Sequence, residues 1–426
     1  MKSKIIAPGV KLCTHKTKQF KTSVVSFNIV TSLSENAGKK ALLLNLLART
    51  NKIYPTITEM NRRLAGLYGA VISPSIRKIG EAQVLSLVLV CLDDRFALKG
   101  EKVLCEALKL VSSCLFMPDI TTEGFKEDNI KREKRLLIEK LESEKDEKRI
   151  YALNTMLGEM CRDEAYGINR LGTKEEIEAA TGKELLKLWK DLLFKAPVQI
   201  NVTGNFDEKE IEEAVTKLFA PLERKKENIL EVHTEFVTEA FESKTVREKQ
   251  SVKQGKLVIG MRAGMTYDFD NFPAIKLMNA IFGSGTFSKL FMNVREKMSL
   301  CYYCASRLDS NKGIITVESG VETENAEKAL EAIRHELDEI RRGSFTDETV
   351  ENAKKSLYDL YNSVYDSVAG INDWMTSYAV KNEITEPCSL GEMINGVCRE
   401  EIIIAASMVT EDTVYILESD AKEAAE

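Results

Sequence analysis

Residues 22–31 read TSVVSFNIVT, and residues 255–263 read GKLVIGMRA. Both are short runs rich in β-branched residues, which suits a buried strand. Their downstream neighbours are alike too. An apolar helical stretch comes next (40–49 and 272–282), and then further strands, QVLSLVLVCL at 83–92 and GIITVESGV at 313–321. An acidic turn then leads into an Ala/Leu-periodic helix: Asp93-Asp94 precedes Ala107-Leu108, and Glu322-Thr323-Glu324 precedes Ala329-Leu330. Long charged helices are expected at 125–148 and 347–366. Each half closes on a helix and a short strand, 184–193 with 198–202 and 400–408 with 414–417.

An element order repeated after roughly 200 residues implies duplication. The expected fold class is α+β, two duplicated domains, each a mostly antiparallel sheet covered by helices, arranged as a half-clamshell. The spacings Thr173-x-x-Glu176, Thr181-x-x-Glu184 and Asp207-x-x-Glu210 mark helix starts. Residues 221–243 are charged and lack periodicity, which reads as a linker. The expected domains are therefore 1–220 and 244–426. A chain of 426 residues suits two cores better than one.

Composition narrows the function. Hydrophobic residues make up 44% and charged residues 30%, a globular balance. A net charge of −6 speaks against a general nucleic-acid binder, which needs a concentrated basic surface. No apolar run reaches the length of a membrane span, and the first residues hold no signal-peptide core. Nine scattered cysteines, an odd number, several inside apolar runs, are no disulfide framework and point to a reducing cytoplasm.

The stretch FSKLFMNVREKMSLCY at 287–302 comes after Gly283-Ser284-Gly285 and precedes Lys312-Gly313. It resembles the second-half signature of the insulinase/pitrilysin/mitochondrial-processing-peptidase family: a Gly-rich turn, S-x-L-F, V-R-E-K, then L-x-Y. A second match runs through EKRLLIEKL at 133–141 and YGINRLGTKEEIEAATGKELLKLWKDL at 166–192 to Gly204-Asn205-Phe206. Narrower agreement, in SLCYYCASRLDSNKG at 299–313 and in YPT and LYGA near 54–70, is similar to a bacterial subfamily called YmfF-like. That subfamily is associated with 5-aminopentanol modification of elongation factor P and is paired with an H-x-x-E-H partner.

Active members of the family carry H-x-x-E-H on an early helix, two histidines on zinc and the Glu as general base, plus a distal Glu ligand. Alignment of the helix near 40–49 places Leu42, Leu43, Leu44, Asn45 and Leu46 on the five motif positions, and the distal Glu on Lys140 or, one residue off, Glu139. No histidine lies between His15 and His233, so the zinc site is expected to be lost and no cofactor bound. The leucines read as a buried helix core. In the second half, the resemblance assigns Arg295 and Tyr302 to the pair that holds substrate carbonyls and stabilises the oxyanion. A helix ending between them would place both at a helix-to-strand junction.

The implied function is a non-catalytic subunit of a heterodimeric zinc endopeptidase, serving an H-x-x-E-H partner on a peptide or unfolded-protein substrate. A binding or scaffold protein derived from a peptidase is the alternative. A separate enzyme would have to rest on Cys301 and Cys304, a C-x-x-C. Arg295 and Tyr302 also read as an interior ion pair and a packed phenol. His15, His233 and His335 have no ligand spacing. The charge run 131–149 reads as a solvated helix face, and Gly283-Ser284-Gly285 as a turn rather than a phosphate loop.

Overall fold

The computed structural model describes residues 1–420. The first sheet is built from β1 (Lys2–Ala7), β2 (Val10–Lys16), β3 (Thr22–Ser32), β4 (Val71–Ile79), β5 (Ala82–Leu92) and, beyond a small hairpin of β6 (Ile120–Thr121) and β7 (Gly124–Phe125), β8 (Val198–Gly204). Its order is β1-β2-β8-β3-β5-β4. The second sheet holds β9 (Lys244–Gln250), β10 (Gly255–Arg262), β11 (Cys301–Asp309), β12 (Ile314–Val321) and β13 (Thr410–Ser419), in the order β11-β12-β10-β13-β9.

Taken from opposite ends, the two orders are the same. The β2–β8 pair is parallel and matches β9–β13; the remaining pairs are antiparallel in both sheets, and only β1 lacks a counterpart. The repeat in element order is therefore a repeat in topology.

Strand β3 shows why residues 22–31 do not alternate cleanly. Val25, Phe27 and Ile29 point into the main core with Leu85, Leu87, Leu89 and Ile200. Ser26 and Asn28, on the other face, are buried as well. A strand covered on both faces carries no exposed period. Helices α1 (Ala37–Arg49), α2 (Ile57–Gly66) and α3 (Val103–Phe116) alternate with these strands, and α4 (Glu127–Asp146) and α5 (Lys148–Met160) come after them. Thr181 and Glu184 form a complete capping box, whereas Thr173 and Asp207 each accept only the backbone N–H three residues on.

The described chain forms two compact units whose limits differ from the expected 1–220 and 244–426. Unit 1 contains Met1–Leu141, Ile168–His233 and Ser363–Thr385; unit 2 contains Glu142–Gly167, Thr234–Asn362 and the chain from Glu386. Each sheet thus takes a helix from the opposite half of the sequence. In unit 1 the helix Val368–Ser377 bonds to three side chains on the polar face of β3 and β8. Ser26 Oγ donates to Asn372 Oδ1 (2.7 Å), Gln199 Nε2 to Met375 O (2.6 Å), and Asn201 Nδ2 to Thr376 Oγ1 (2.9 Å). In unit 2, α5 lies on β10 at Gly260, where an added Cβ would sit 2.5 Å from Met160 Sδ and 2.6 Å from Met156 Sδ. The run 131–149 is also not one solvated face. The helix breaks at Glu147, Glu133 is buried, and Arg149 pairs with Glu318 at 2.7 Å.

A buried charge cluster fixes the exchanged segment in unit 2. Glu164 accepts from Arg262 (2.7 Å) and pairs with Lys312 (2.5 Å), while Arg262 also pairs with Asp412 on β13 (2.8 Å). Burial works against the Glu164 charge, but Arg262 and Lys312 outweigh it and hold its carboxyl below the ordinary range. Glu164→Ala leaves two buried cations short of a counter-charge and is expected to cost about 3–5 kcal/mol at neutral pH. Because the folded pKa is depressed, this contribution is complete above the ordinary value of 4.5 and is lost as pH falls through the lowered one. Urea titrations of wild type and variant should therefore converge on acidification.

Candidate functional site

Two pockets carry the residues singled out in the sequence. The first lies in unit 1, between one stripe of each of three helices and one face of an edge strand. Helix α1 contributes Asn45, Ala48 and Arg49; α2 contributes Ile57, Met60, Asn61 and Leu64; α4 contributes Glu133, Leu136, Leu137 and Lys140. Ile72, Pro74 and Ile76 come from β4, at the i, i+2, i+4 spacing of a single strand face. The pocket volume is about 550 Å³.

Of the positions aligned with the zinc motif, this pocket takes Asn45 and Lys140 and not Leu42 or Leu46. Leu42 and Leu46 are buried in the main core with Leu43, Leu44 and Leu47 and do not reach the pocket. Asn45 and Lys140 do. The pocket-facing residues of α1 are Asn45, Ala48 and Arg49, at i, i+3 and i+4, the spacing of H-x-x-E-H displaced by three residues from the expected one. Five leucines between Leu42 and Leu47 hide this phase, since an apolar helix carries no polar stripe to read.

The side chains present do not fit zinc. A catalytic site needs three N, O or S ligands and an open position. Here Ala48 offers none, Asn45 one weak oxygen, and Arg49 and Lys140 are cations. Each would repel a metal charge by about 4 kcal/mol per unit charge at 4 Å and an effective dielectric of 20. Among the described residues no cluster of His, Cys, Asp or Glu has metal-binding geometry.

The one carboxylate in the pocket is already engaged. Glu133 Oε1 lies 3.2 Å from Arg49 Nε and 3.7 Å from Arg132 Nε. Burial pushes the Glu133 carboxyl up, and the two guanidinium groups oppose that shift. Neither Arg49 Nε nor Glu133 Oε1 makes an aligned hydrogen bond, so the contact is an ion pair alone.

The second pocket lies in unit 2 and unites Arg295 and Tyr302. It has a volume of about 440 Å³ and is lined by Arg295, Glu296, Ser299, Leu300, Cys301, Tyr302, Glu322 and Asn325. The helix Leu290–Lys297 carries Arg295 and ends in a widened turn, in which Met298 N–H reaches back five residues to Asn293 O (2.9 Å). Ser299 takes a left-handed φ of 51°, and β11 begins at Cys301. The pair thus flanks a helix-to-strand junction.

Tyr302 is the extra residue of a β-bulge. Cys301 pairs with Val321 and Tyr303 with Gly320, which leaves Tyr302 without a cross-strand partner and turned to solvent at 64% exposure. Its hydroxyl donates to Glu322 Oε1 (2.9 Å), a bond that pushes the phenol pKa up. The Arg295 guanidinium packs 4.5 Å from the Phe291 ring centroid and is 39% exposed. Neither side chain is an interior group.

The same bulge brings Cys301 and Cys304 to one face of β11, because their partners Val321 and Ser319 are two residues apart. A hydrogen bond from Cys304 lowers the Cys301 pKa to about 7 against the effect of burial, with further help from Ser319 and the Arg295 charge. Sequence reasoning missed this, since spacing alone puts i and i+3 of a strand on opposite faces. Gly283 is explained by packing: an added Cβ would meet Leu290 Cδ1 and Ser306 N at 2.7 Å. His15 stacks near Tyr365, and His233 pairs with Glu231 on the surface. Cys301 is expected to alkylate with a pH midpoint near 7. Arg295→Ala should move that midpoint upward, as tracked by peptide mass spectrometry.

Comparison with known proteins agrees with this anatomy. Residues 179–357 match the family model described as "Peptidase M16 inactive domain". Over 404 residues, 94% of each chain, the protein is 30% identical to the "Probable inactive metalloprotease YmfF" of Bacillus subtilis. A conserved protein from Enterococcus faecalis has the same fold, with a TM-score of 0.90 and 26% identity over 99% of both chains. A Pseudomonas fluorescens structure titled as a peptidase M16 inactive domain gives a TM-score of 0.79 at 18% identity over 99% of this chain and 98% of that one, which supports the fold. A helix pocket that keeps the i, i+3, i+4 spacing without metal ligands, a duplicated α+β topology and near-complete coverage of an inactive relative converge: the chain belongs to the peptidase M16 inactive-domain family.

Proposed function

We propose that the chain is the non-catalytic subunit of a two-chain zinc endopeptidase, and that it supplies Arg295 and Tyr302 to a reaction whose metal is held by an H-x-x-E-H partner. The observation that carries this reading is the placement of both side chains in one open pocket. An Arg fork and a phenolic O–H are the donors suited to a peptide carbonyl oxygen that gains charge. In the free chain Tyr302 spends its donor on Glu322, so substrate must compete for it.

The first pocket supports the division of labour. Asn45, Ala48, Arg49 and Lys140 line it with groups that repel or ignore a metal, which fits a reading in which hydrolysis comes from another chain. Peptide or unfolded protein is the substrate class we assign. All nine cysteines are free, which supports a cytoplasmic protein. Among the described residues no helix is long and apolar enough to cross a membrane. The narrower assignment, support of 5-aminopentanol modification of elongation factor P, rests on the motifs at 54–70 and 299–313.

The test is a complex reconstituted with the H-x-x-E-H homologue of the same organism. Arg295→Ala and Tyr302→Phe should leave the subunit folded and partnered while turnover falls roughly 100-fold, in kcat more than in KM. Normal turnover of the double variant's complex would make the chain a scaffold.

A further inference from the structure

We propose that the pocket between α1, α2, α4 and β4 is a receptor for the free C-terminal carboxylate of a peptide whose last side chain is apolar. This site rests on the subunit reading only in that the chain handles peptides. It does not depend on Arg295, Tyr302 or a partner.

Three features of the pocket point to this ligand. Its volume, about 550 Å³, falls within the range of small-ligand sites and accommodates a terminal residue and its neighbour. Much of the lining is apolar, with Ile57, Met60 and Leu64 from α2, Ile72 and Ile76 from β4, and Leu137 from α4. The same lining carries two cations with donors to spare. Lys140 is exposed and makes no ion pair among the described residues, and Arg49 meets Glu133 through Nε, so its terminal nitrogens are the ones left for a ligand.

The charge balance is specific. Glu133 is the only acidic side chain in the lining, against Arg49 and Lys140, so the lining carries one positive charge in excess. Glu133 is also faced by Arg132 from outside the pocket, which leaves it little power to neutralise Lys140. A bound carboxylate restores neutrality and can accept from the Arg49 fork and the Lys140 ammonium together.

The apolar lining selects among carboxylates. A C-terminal residue presents its carboxylate and its side chain from a single Cα, so one group can meet the cations while the other meets the Ile and Leu side chains. An internal Asp or Glu would instead press two flanking backbone amides against that lining without hydrogen-bond partners, at about 1–3 kcal/mol for each group left unsatisfied.

The experiment is calorimetric titration of the isolated chain with N-acetyl-Ala-Ala-Leu, as the free acid and as its C-terminal amide. The acid should bind at least about tenfold more tightly than the amide, a difference of about 1.4 kcal/mol. Lys140→Gln, an exposed substitution that leaves the Glu133 pair intact, should weaken the acid severalfold and leave the amide unchanged. Arg49→Lys should do the same while keeping a cation beside Glu133, with the circular dichroism spectrum as a check on folding. The acid-over-amide preference is read on the isolated chain, with no partner and no turnover, which separates failure here from failure of the subunit reading. Equal binding of acid and amide, indifference to Lys140→Gln, or no heat at ~5 mM acid would overturn the proposal. Octanoate binding as tightly as the peptide acid would also overturn it, in favour of a site for apolar carboxylates in general.

Discussion

Each sheet of this protein buries a face that its own half of the sequence does not cover. In unit 1 that face holds Ser26, Asn28, Gln199 and Asn201, all nearly inaccessible to solvent. Left without partners, such groups cost about 1–3 kcal/mol apiece, and four of them would cancel much of a domain's net stability. Asn372, Met375 and Thr376 on Val368–Ser377 supply partners for Ser26, Gln199 Nε2 and Asn201, while Asn28 Nδ2 bonds within the sheet to Ser26 and Gln199 O. In unit 2 the equivalent face is apolar at Val258, Tyr415 and Leu417 and charged at Arg262, and α5 with the Glu164 turn covers it. The same topological slot is therefore satisfied by hydrogen bonds in one unit and by packing and an ion cluster in the other. The first pocket is tied to this arrangement, since α4, which lines it, leads directly into the segment given to unit 2.

The duplication is legible in the sequence because it is written in element order, and the caps at Thr173, Thr181 and Asp207 and the junction after Lys297 are local signals. The exchange of helices is not legible. It depends on which apolar surface meets which sheet, and residues 148–160 and 368–377 have the composition of ordinary helices wherever they pack. Its traces are Gly260 in the middle of a strand and polar residues inside 22–31, each ambiguous without the partner. The pocket-facing side of α1 is hidden for a related reason: with Leu42, Leu43, Leu44, Leu46 and Leu47 all apolar, only tertiary packing decides which side faces the pocket.

The bulge at Tyr302 shows how one inserted residue can build a site. It turns the phenol out beside Glu322, and it also brings Cys301 and Cys304 together. A regular strand would have sent Cys301 and Cys304 to opposite faces and given Tyr302 a cross-strand neighbour. The widened helical turn before it and the left-handed Ser299 swing the chain so that Arg295 and Tyr302 line one opening although helix and strand meet between them. The pocket is thus assembled by backbone irregularity, which sequence patterns of period two or 3.6 do not register.

The helix pocket poses a different question, why a face without metal chemistry stays open. Helix α1 offers leucine on every side but one, and large apolar groups at 45, 48 and 49 would close the space against Leu64, Ile76 and Leu137 at a gain of roughly 1.5–3 kcal/mol each. Instead the positions hold Asn45, the small Ala48, and Arg49 beside a carboxylate that is buried and poorly aligned. That arrangement is costly as a core, because a buried carboxylate loses hydration that two imperfect ion pairs do not fully return. As the floor of a binding site it is economical: Glu133 anchors Arg49 at its Nε edge, leaves the rest of the guanidinium open to a ligand, and holds the cation at a fixed point before any ligand arrives. Charge held in place before the ligand arrives, in a lining that is otherwise largely apolar, favours anion recognition, and the pocket has that without a metal.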